Sequence, residues 1–294
     1  MTWMFRGRFV ATAEPWLSGG VALAHRLSSA MLREDLREIV HEQFGSRELL
    51  YQMTARDLML RYKQTAMGFA WAVLMPLLNT AIFSLVFMHV APVQTRVAYP
   101  LFAYCGLLVW NFTASALRFA VTSLTANTNL VTKVYFPREI FPFAAVAVSL
   151  VDSAVAATVL IAMMAYYGIA PSGAIVLLPL VIVVQAMFTA ALALLLSMAN
   201  LFYRDVKYLF DVVLTVWMFG SAVVYPVEGV GGWAGVVLRA NPMTAIVEAY
   251  RSVLLYGTTP DPVLFGCVAA LSLVLFPSAW LLFHRSEFRF AENI

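Results

Sequence analysis

Charge is scarce in this sequence: Asp, Glu, Lys and Arg make up twelve per cent of its 294 residues, about half of what a water-soluble domain carries. That shortage excludes a soluble enzyme core as the main body of the chain. Lysine is scarcer still. Only Lys63, Lys133 and Lys207 occur and none follows a glycine, so the G-x-x-x-x-G-K-[ST] loop whose amides cradle nucleotide phosphates is absent. The two cysteines, Cys105 and Cys267, both fall in apolar runs; their spacing suggests neither a metal site nor a disulfide framework, and they read as small core residues. No paired carboxylates, metal ligands or nucleophile with a base converge in sequence. No catalytic residue, metal or cofactor is therefore assigned to this chain.

What is present is apolar surface. Sixty-two per cent of the residues are hydrophobic, and a run of about twenty such residues crosses a hydrocarbon layer roughly 30 Å thick as a helix. Six runs qualify, near 68–90, 99–122, 140–167, 174–199, 207–226 and 264–283. The expected fold is all-α and integral to the membrane: six transmembrane helices, an N-terminal cytoplasmic interfacial helix, and short re-entrant periplasmic helices before the last span. The net charge of +3 is no argument for nucleic acid, because position relative to the spans is what counts. With the N-terminus inside, fifteen of the nineteen Lys and Arg residues fall on the inner side, and only Arg96, Arg239 and Arg251 fall outside. Both termini are thus expected in the cytoplasm. Residues 1–45 form an N-terminal extension in which Glu14, Pro15 and the Gly19-Gly20 pair interrupt any signal-type apolar core, so a cleaved signal peptide is not expected.

The six apolar runs and the segment that leads into them occupy residues 46–294. Over 48–64, Tyr51, Ala55, Leu58, Met59 and Tyr62 share one helical side, and Leu49, Met53 and Leu60 another. Arg56, Asp57, Arg61 and Lys63 are the charges here, with Asp57 and Arg61 spaced as an i,i+4 pair. Such a helix lies along the cytoplasmic membrane surface and presses against protein. Gly68 permits a turn into the first span, and Pro76 implies a kink in it. Asp152 stands mid-span with no cation near it in sequence, so it is expected to be protonated, hydrogen-bonded or facing a wet cavity. Arg118 and Asp211, nearer the inner boundary, are placed to snorkel. In the inner turn, Asp205 offsets Arg204 or caps the helix that follows.

The outer segment 227–263 reads as two short helices, the second opened by Asn241 as cap with Pro242 in its first turn and closed by Gly257. Its Glu248 and Arg251, three apart, are spaced to pair. Aromatics make up fourteen per cent. Tyr99, Tyr166, Tyr167, Tyr208 and Tyr225 sit at span ends like a lipid belt, whereas Trp71, Tyr104, Trp110, Phe112, Trp217 and Phe219 lie deeper.

Four strings, "ARDLMLRYKQTAMGFAWAVLMPLL", "LVTKVYFPREIFP", "NLFYRDVKYLFDVVLTVWMFGSAVVYP" and "NPMTAIVEAYRSVLLYG", occur in the order found in the permease subunits of ABC exporters for lipid-linked polysaccharide. With the six spans and the closing "FRFAENI", residues 45–294 resemble that family of O-antigen, capsule and teichoic-acid exporters. The resemblance implies a subunit of an ATP-driven exporter of lipid-linked glycan in the cytoplasmic (inner) membrane, paired with a second copy of itself. Two copies of a separate ATPase would bind ATP and magnesium. It further implies a translocation path lined by aromatics, here Trp71, Tyr104, Trp110, Trp217, Phe219 and Tyr225. The loop 123–139 would couple to the ATPase through Lys133, Tyr135, Phe136 and Arg138, and Glu248 and Arg251 would shape the periplasmic exit. Other architectures remain open: an ABC permease exporting a lipid or drug, or an ion-coupled secondary transporter, for which no internal repeat is visible.

Overall fold

The computed structural model describes residues 45–63, 68, 70–128, 130 and 137–287. Among these every regular element is helical. α1 spans Arg47–Tyr62; α2, Ala70–Leu85, runs on through a π-helical turn at Val86–Val90. α3 spans Tyr99–Ala126 and α4 Ile140–Tyr166. A 3-10 turn at Gly173–Leu177 leads into α5, Leu178–Phe202, and α6 is Val206–Phe219. Two short helices follow, α7 at Gly232–Ala240 and α8 at Pro242–Arg251. A π-helical turn at Ser252–Tyr256 and the last helix, α9 at Pro262–Ser286, close the described chain.

α3 is the central post. It packs against α2, α4, α5, α6 and α8, while α9 lies on α5 and α1 lies along α4. Two apolar helices gain nothing by leaving lipid for each other, so close approach and interhelical hydrogen bonds must hold them. Both are present. Gln185 of α5 donates to the Val109 carbonyl at 2.8 Å and to the Thr113 hydroxyl at 3.0 Å. The Tyr104 hydroxyl donates to the Ala156 carbonyl of α4 at 2.9 Å. These bonds lie inside the bundle, which is why α3 tolerates more polar residues than its neighbours.

Five helical segments are long and apolar enough to cross a membrane: Ala70–Val90, Tyr99–Ala126, Ile140–Tyr166, Gly173–Phe202 and Pro262–Ser286. The expected span at 207–226 differs. Its helix, α6, has only 14 residues, about 21 Å at 1.5 Å per residue. Beyond it the chain turns at Gly220, and Ser221, Ala222, Val223 and Val224 are buried in irregular backbone, Ala222 with φ of 49°. Non-helical backbone survives at such depth only where protein satisfies its carbonyls. Here side chains do so. The Trp217 carbonyl accepts from Ser221 Oγ, that of Phe219 from the Tyr225 hydroxyl, that of Gly220 from Asn241 Nδ2, those of Ala222 and Val223 from Arg251, and that of Val224 from the Tyr99 hydroxyl. Helical periodicity cannot reveal this, because every donor but Ser221 and Tyr225 is distant in sequence.

Tyr99 is consequently buried and not part of a lipid belt, while Tyr166, Tyr167 and Tyr208 are exposed as a belt requires. Cys105 is a core residue but Cys267 is exposed, contrary to expectation.

Candidate functional site

The two short helices expected between the last two apolar runs form, as α7 and α8. Asn241 caps α8, its Oδ1 accepting from the Met243 amide at 3.0 Å, and Gly257 ends the segment at φ 66°, a conformation that glycine adopts without cost. Asn241 does more than cap. Its side chain also accepts from Trp217 Nε1 at 3.1 Å and donates to the Gly220 carbonyl at 2.6 Å and Ser221 Oγ at 3.0 Å, welding α6 to α8. Asn241→Ala removes the cap and orphans these groups, so a loss of about 2–3 kcal/mol is expected. A melting curve of the purified variant, lowered relative to Asn241→Asp, checks it.

Arg251 pairs with Glu248 at 2.7 Å as its spacing suggests. Its side chain is fully buried, however, under the Phe102 ring with 3.5 Å from guanidinium carbon to centroid. Glu248 faces a polar cavity of about 370 Å³ with Arg96, Glu228, Arg239, Tyr256 and Asp261.

In α1 the charges do not form the expected Asp57–Arg61 pair. Asp57 takes Arg56 at 2.8 Å, and Arg56 also donates to Asn127 at the end of α3 at 3.1 Å. Arg61 instead crosses to Asp152 of α4 and lies over the Phe119 ring, 3.9 Å from its centroid. Tyr62 donates to the second Asp152 oxygen at 2.6 Å. Burial and the Asp152 carboxylate push the Tyr62 phenol up to about 12, so it remains a donor. Asp152 thus has a cation partner after all, brought by the fold from 91 residues away. Lys63 is exposed. Arg118 and Asp211 pair with each other at 3.1 Å, linking α3 to α6 with both side chains exposed. Asp205 stands at the N-cap of α6 without making a side-chain cap bond.

The deep aromatics divide by accessibility. Trp71 and Phe219 are 38% and 49% exposed, and Trp217 and Tyr225 are half-buried. Tyr104 and Trp110, at 0% and 4%, are packed inside the bundle, Trp110 meeting Trp217 edge to face at 5.6 Å. Trp71 borders a cavity of about 360 Å³ shared with Asn79, Asn111, Arg118, Ser149 and Asp152. Within an apolar bundle this is a polar niche with an aromatic rim.

At the N-terminal end of α4, Arg138 donates from Nη1 to the Glu287 carbonyl at 2.6 Å and from its amide to Glu287 Oε1 at 3.3 Å. Beside it, Glu139 Oε1 lies 3.2 Å from His284 Nδ1. Burial and the Glu139 carboxylate push the Glu287 carboxyl up to about 7. Lys133, Tyr135 and Phe136 lie outside the described residues, as do residues 1–44 and 288–294.

The profile of the ABC-2 type transporter family matches residues 48–255, from the first turn of α1 through α8 into the turn that follows it. The chain belongs to the ABC-2 type transporter family. It is 29% identical over 258 residues to a protein of Myxococcus xanthus named O-antigen export system permease protein RfbA, covering 87% of this chain and 99% of that one. Two Klebsiella pneumoniae proteins of the same name are each 26% identical over 246 residues, covering 83% of this chain and 94% of theirs. The matched segment of this ABC-2 transporter holds the Arg61–Asp152 pair, the aromatic niche and the Arg251 network together.

Two features escaped sequence reasoning. The Arg61–Asp152 contact leaves no local signal. The Glu139, His284 and Glu287 group does leave one, since His284 and Glu287 are spaced i,i+3 on one helical face.

Proposed function

We propose that this chain is the membrane-spanning subunit of an ATP-driven exporter that carries lipid-linked O-antigen polysaccharide outward across the inner membrane. The observation that carries this reading is similarity to O-antigen export permeases over nearly their whole length, within a bundle that has several membrane-crossing helices. ATP hydrolysis belongs to a separate subunit, because the chain lacks a phosphate-cradling lysine loop. Two permeases and two ATPases form the assembly, with ATP and magnesium on the latter. The membrane is crossed six times, α6 and the side-chain-braced segment 220–226 together making the fifth crossing, and α7 and α8 dip back into the outer leaflet. Both termini are cytoplasmic, and the loop 123–139 passes force from the ATPase.

Sugar rings present C–H faces to flat aromatics without fixed hydrogen bonds, so a polymer slides past them. Trp71, Phe219, Trp217 and Tyr225 line this path. Tyr104 and Trp110 stand behind them, too buried to touch cargo in this conformation. Glu248 faces the exit, with Arg251 holding it from inside.

The test is ATP turnover of the purified permease in lipid, alone and with its ATPase, with and without lipid-linked O-antigen. Turnover should require the partner and rise with glycan. Trp71→Ala should cut export several-fold while the complex still assembles. A permease that leaves the turnover of the ATPase unchanged would rule the reading out, and stimulation by lipid lacking glycan would make it a lipid exporter.

A further inference from the structure

Where α4 begins and α9 ends, two carboxylates and an imidazole converge. Glu139 stands at the N-cap of α4 with its side chain 2% exposed. Its Oε1 faces His284 Nδ1, but its Oε2, buried, has no hydrogen-bond partner. Glu287 sits one turn beyond His284, its Oε2 4.0 Å from the same nitrogen. Its other oxygen is occupied by the Arg138 amide at 3.3 Å, with Arg138 Nε 3.7 Å away. One ligand atom from each of Glu139, His284 and Glu287 lies within 4.8 Å of the others.

We propose that Glu139, His284 and Glu287 bind a divalent transition-metal ion of the zinc class, clasping the end of α9 to the start of α4. A tetrahedral ion with bonds near 2.1 Å holds its ligand atoms about 3.4 Å apart. The separations of 3.2 Å and 4.0 Å around His284 Nδ1 straddle that edge, so small rotamer adjustments close the site. One nitrogen and two carboxylates are ligands that zinc accepts. Charge points the same way: two carboxyl groups lie close together in a largely buried setting, where a divalent cation offsets their mutual repulsion. A proton on His284 is the rival occupant. It answers Glu139 Oε1, which the imidazole already faces, and leaves the orphaned Oε2 unanswered. An ion draws one ligand atom from each of the three residues, which a proton on His284 does not do. The inference stands apart from the identity of the exported cargo, although the clasp adjoins the loop to which ATPase coupling is assigned above.

The test uses the full chain in lipid, carried on a tag without histidine and stripped with chelator, then titrated with cobalt(II) above neutral pH and displaced by zinc(II). One saturable equivalent per chain with a visible cobalt band is expected. Glu139→Gln and His284→Ala should each weaken binding by about 10-fold or more, while Cys267→Ser, which removes an exposed thiol, leaves it unchanged. Glu287→Gln provides a third variant should either of the first two fail to fold. A wild-type chain that takes up no saturable equivalent, or folded variants with unaltered affinity, would overturn the proposal in favour of a proton-bridged cluster.

Discussion

Arg251→Ala is expected to yield a chain that does not accumulate folded. Its guanidinium donates to the Ala222 and Val223 carbonyls, at 3.0 and 2.5 Å, and pairs with Glu248 at 2.7 Å, all under the Phe102 ring. Removing one partner of a buried ion pair costs about 3–5 kcal/mol, and each buried carbonyl left unanswered adds about 1–3 kcal/mol. Against a total stability of about 5–15 kcal/mol, that is enough to unfold the chain. Arg251→Lys should fall between, because an ammonium can meet Glu248 but lacks the planar fork that reaches two carbonyls at once. Glu248→Gln should be milder, its side chain being 27% exposed. Gly106 offers an independent route to the same defect: a Cβ there would meet the Val223 carbonyl and lie 2.6 Å from Arg251 Nη2. Gly106→Ala should therefore melt early as well. Size-exclusion profiles of detergent extracts after heating rank the set, and an Arg251→Ala chain that melts with the wild type would show that the bent end of α6 is held by something else.

The same network marks where sequence reading stopped. Apolar runs announced the long helices because burial in lipid needs only length and hydrophobicity, and Asn241-Pro242 and Gly257 announced the outer helices because caps are local chemistry. The run at 207–226 is just as apolar, yet its helix ends at Phe219. What ends it is a set of donors, Arg251, Asn241 and Tyr99, that only tertiary structure brings close. Arg251 read as an outer-loop charge for the same reason. Aromatic exposure was illegible too: Trp71 and Trp110 both lie deep in apolar runs, and only the packing of α3 at the bundle centre separates an accessible ring from a buried one. The motifs at 55–78 and 241–257 pointed to the family before any contact was known, but not to what Asp152 or Arg61 would touch.

Asp152→Ala and Arg61→Ala should each reduce export about 10-fold or more, for different physical reasons. Asp152 lies twelve residues into α4, about 18 Å along its axis, and Arg61 is the link that draws the end of α1 to that depth. Without Arg61, Tyr62 still donates to Asp152 and holds α1 in place. Without Asp152, Arg61 loses the carboxylate it crosses to and Tyr62 loses its acceptor. The Phe119 ring still faces Arg61, but a ring does not replace a carboxylate, and α1 has to lift from α4 to hydrate the charge. Asp152→Ala is accordingly the more damaging of the two, because it removes the partner of both Arg61 and Tyr62. A double-mutant cycle should return a coupling of about 1–3 kcal/mol. The reversed pair, Arg61→Asp with Asp152→Arg, should recover part of the melting temperature, and it should recover export only if α1 must be seated for the aromatic niche beside Trp71 to form. Recovery of melting without export would assign the charges themselves a part in moving cargo; additive single effects with no coupling would mean that the apolar side of α1 holds it to α4.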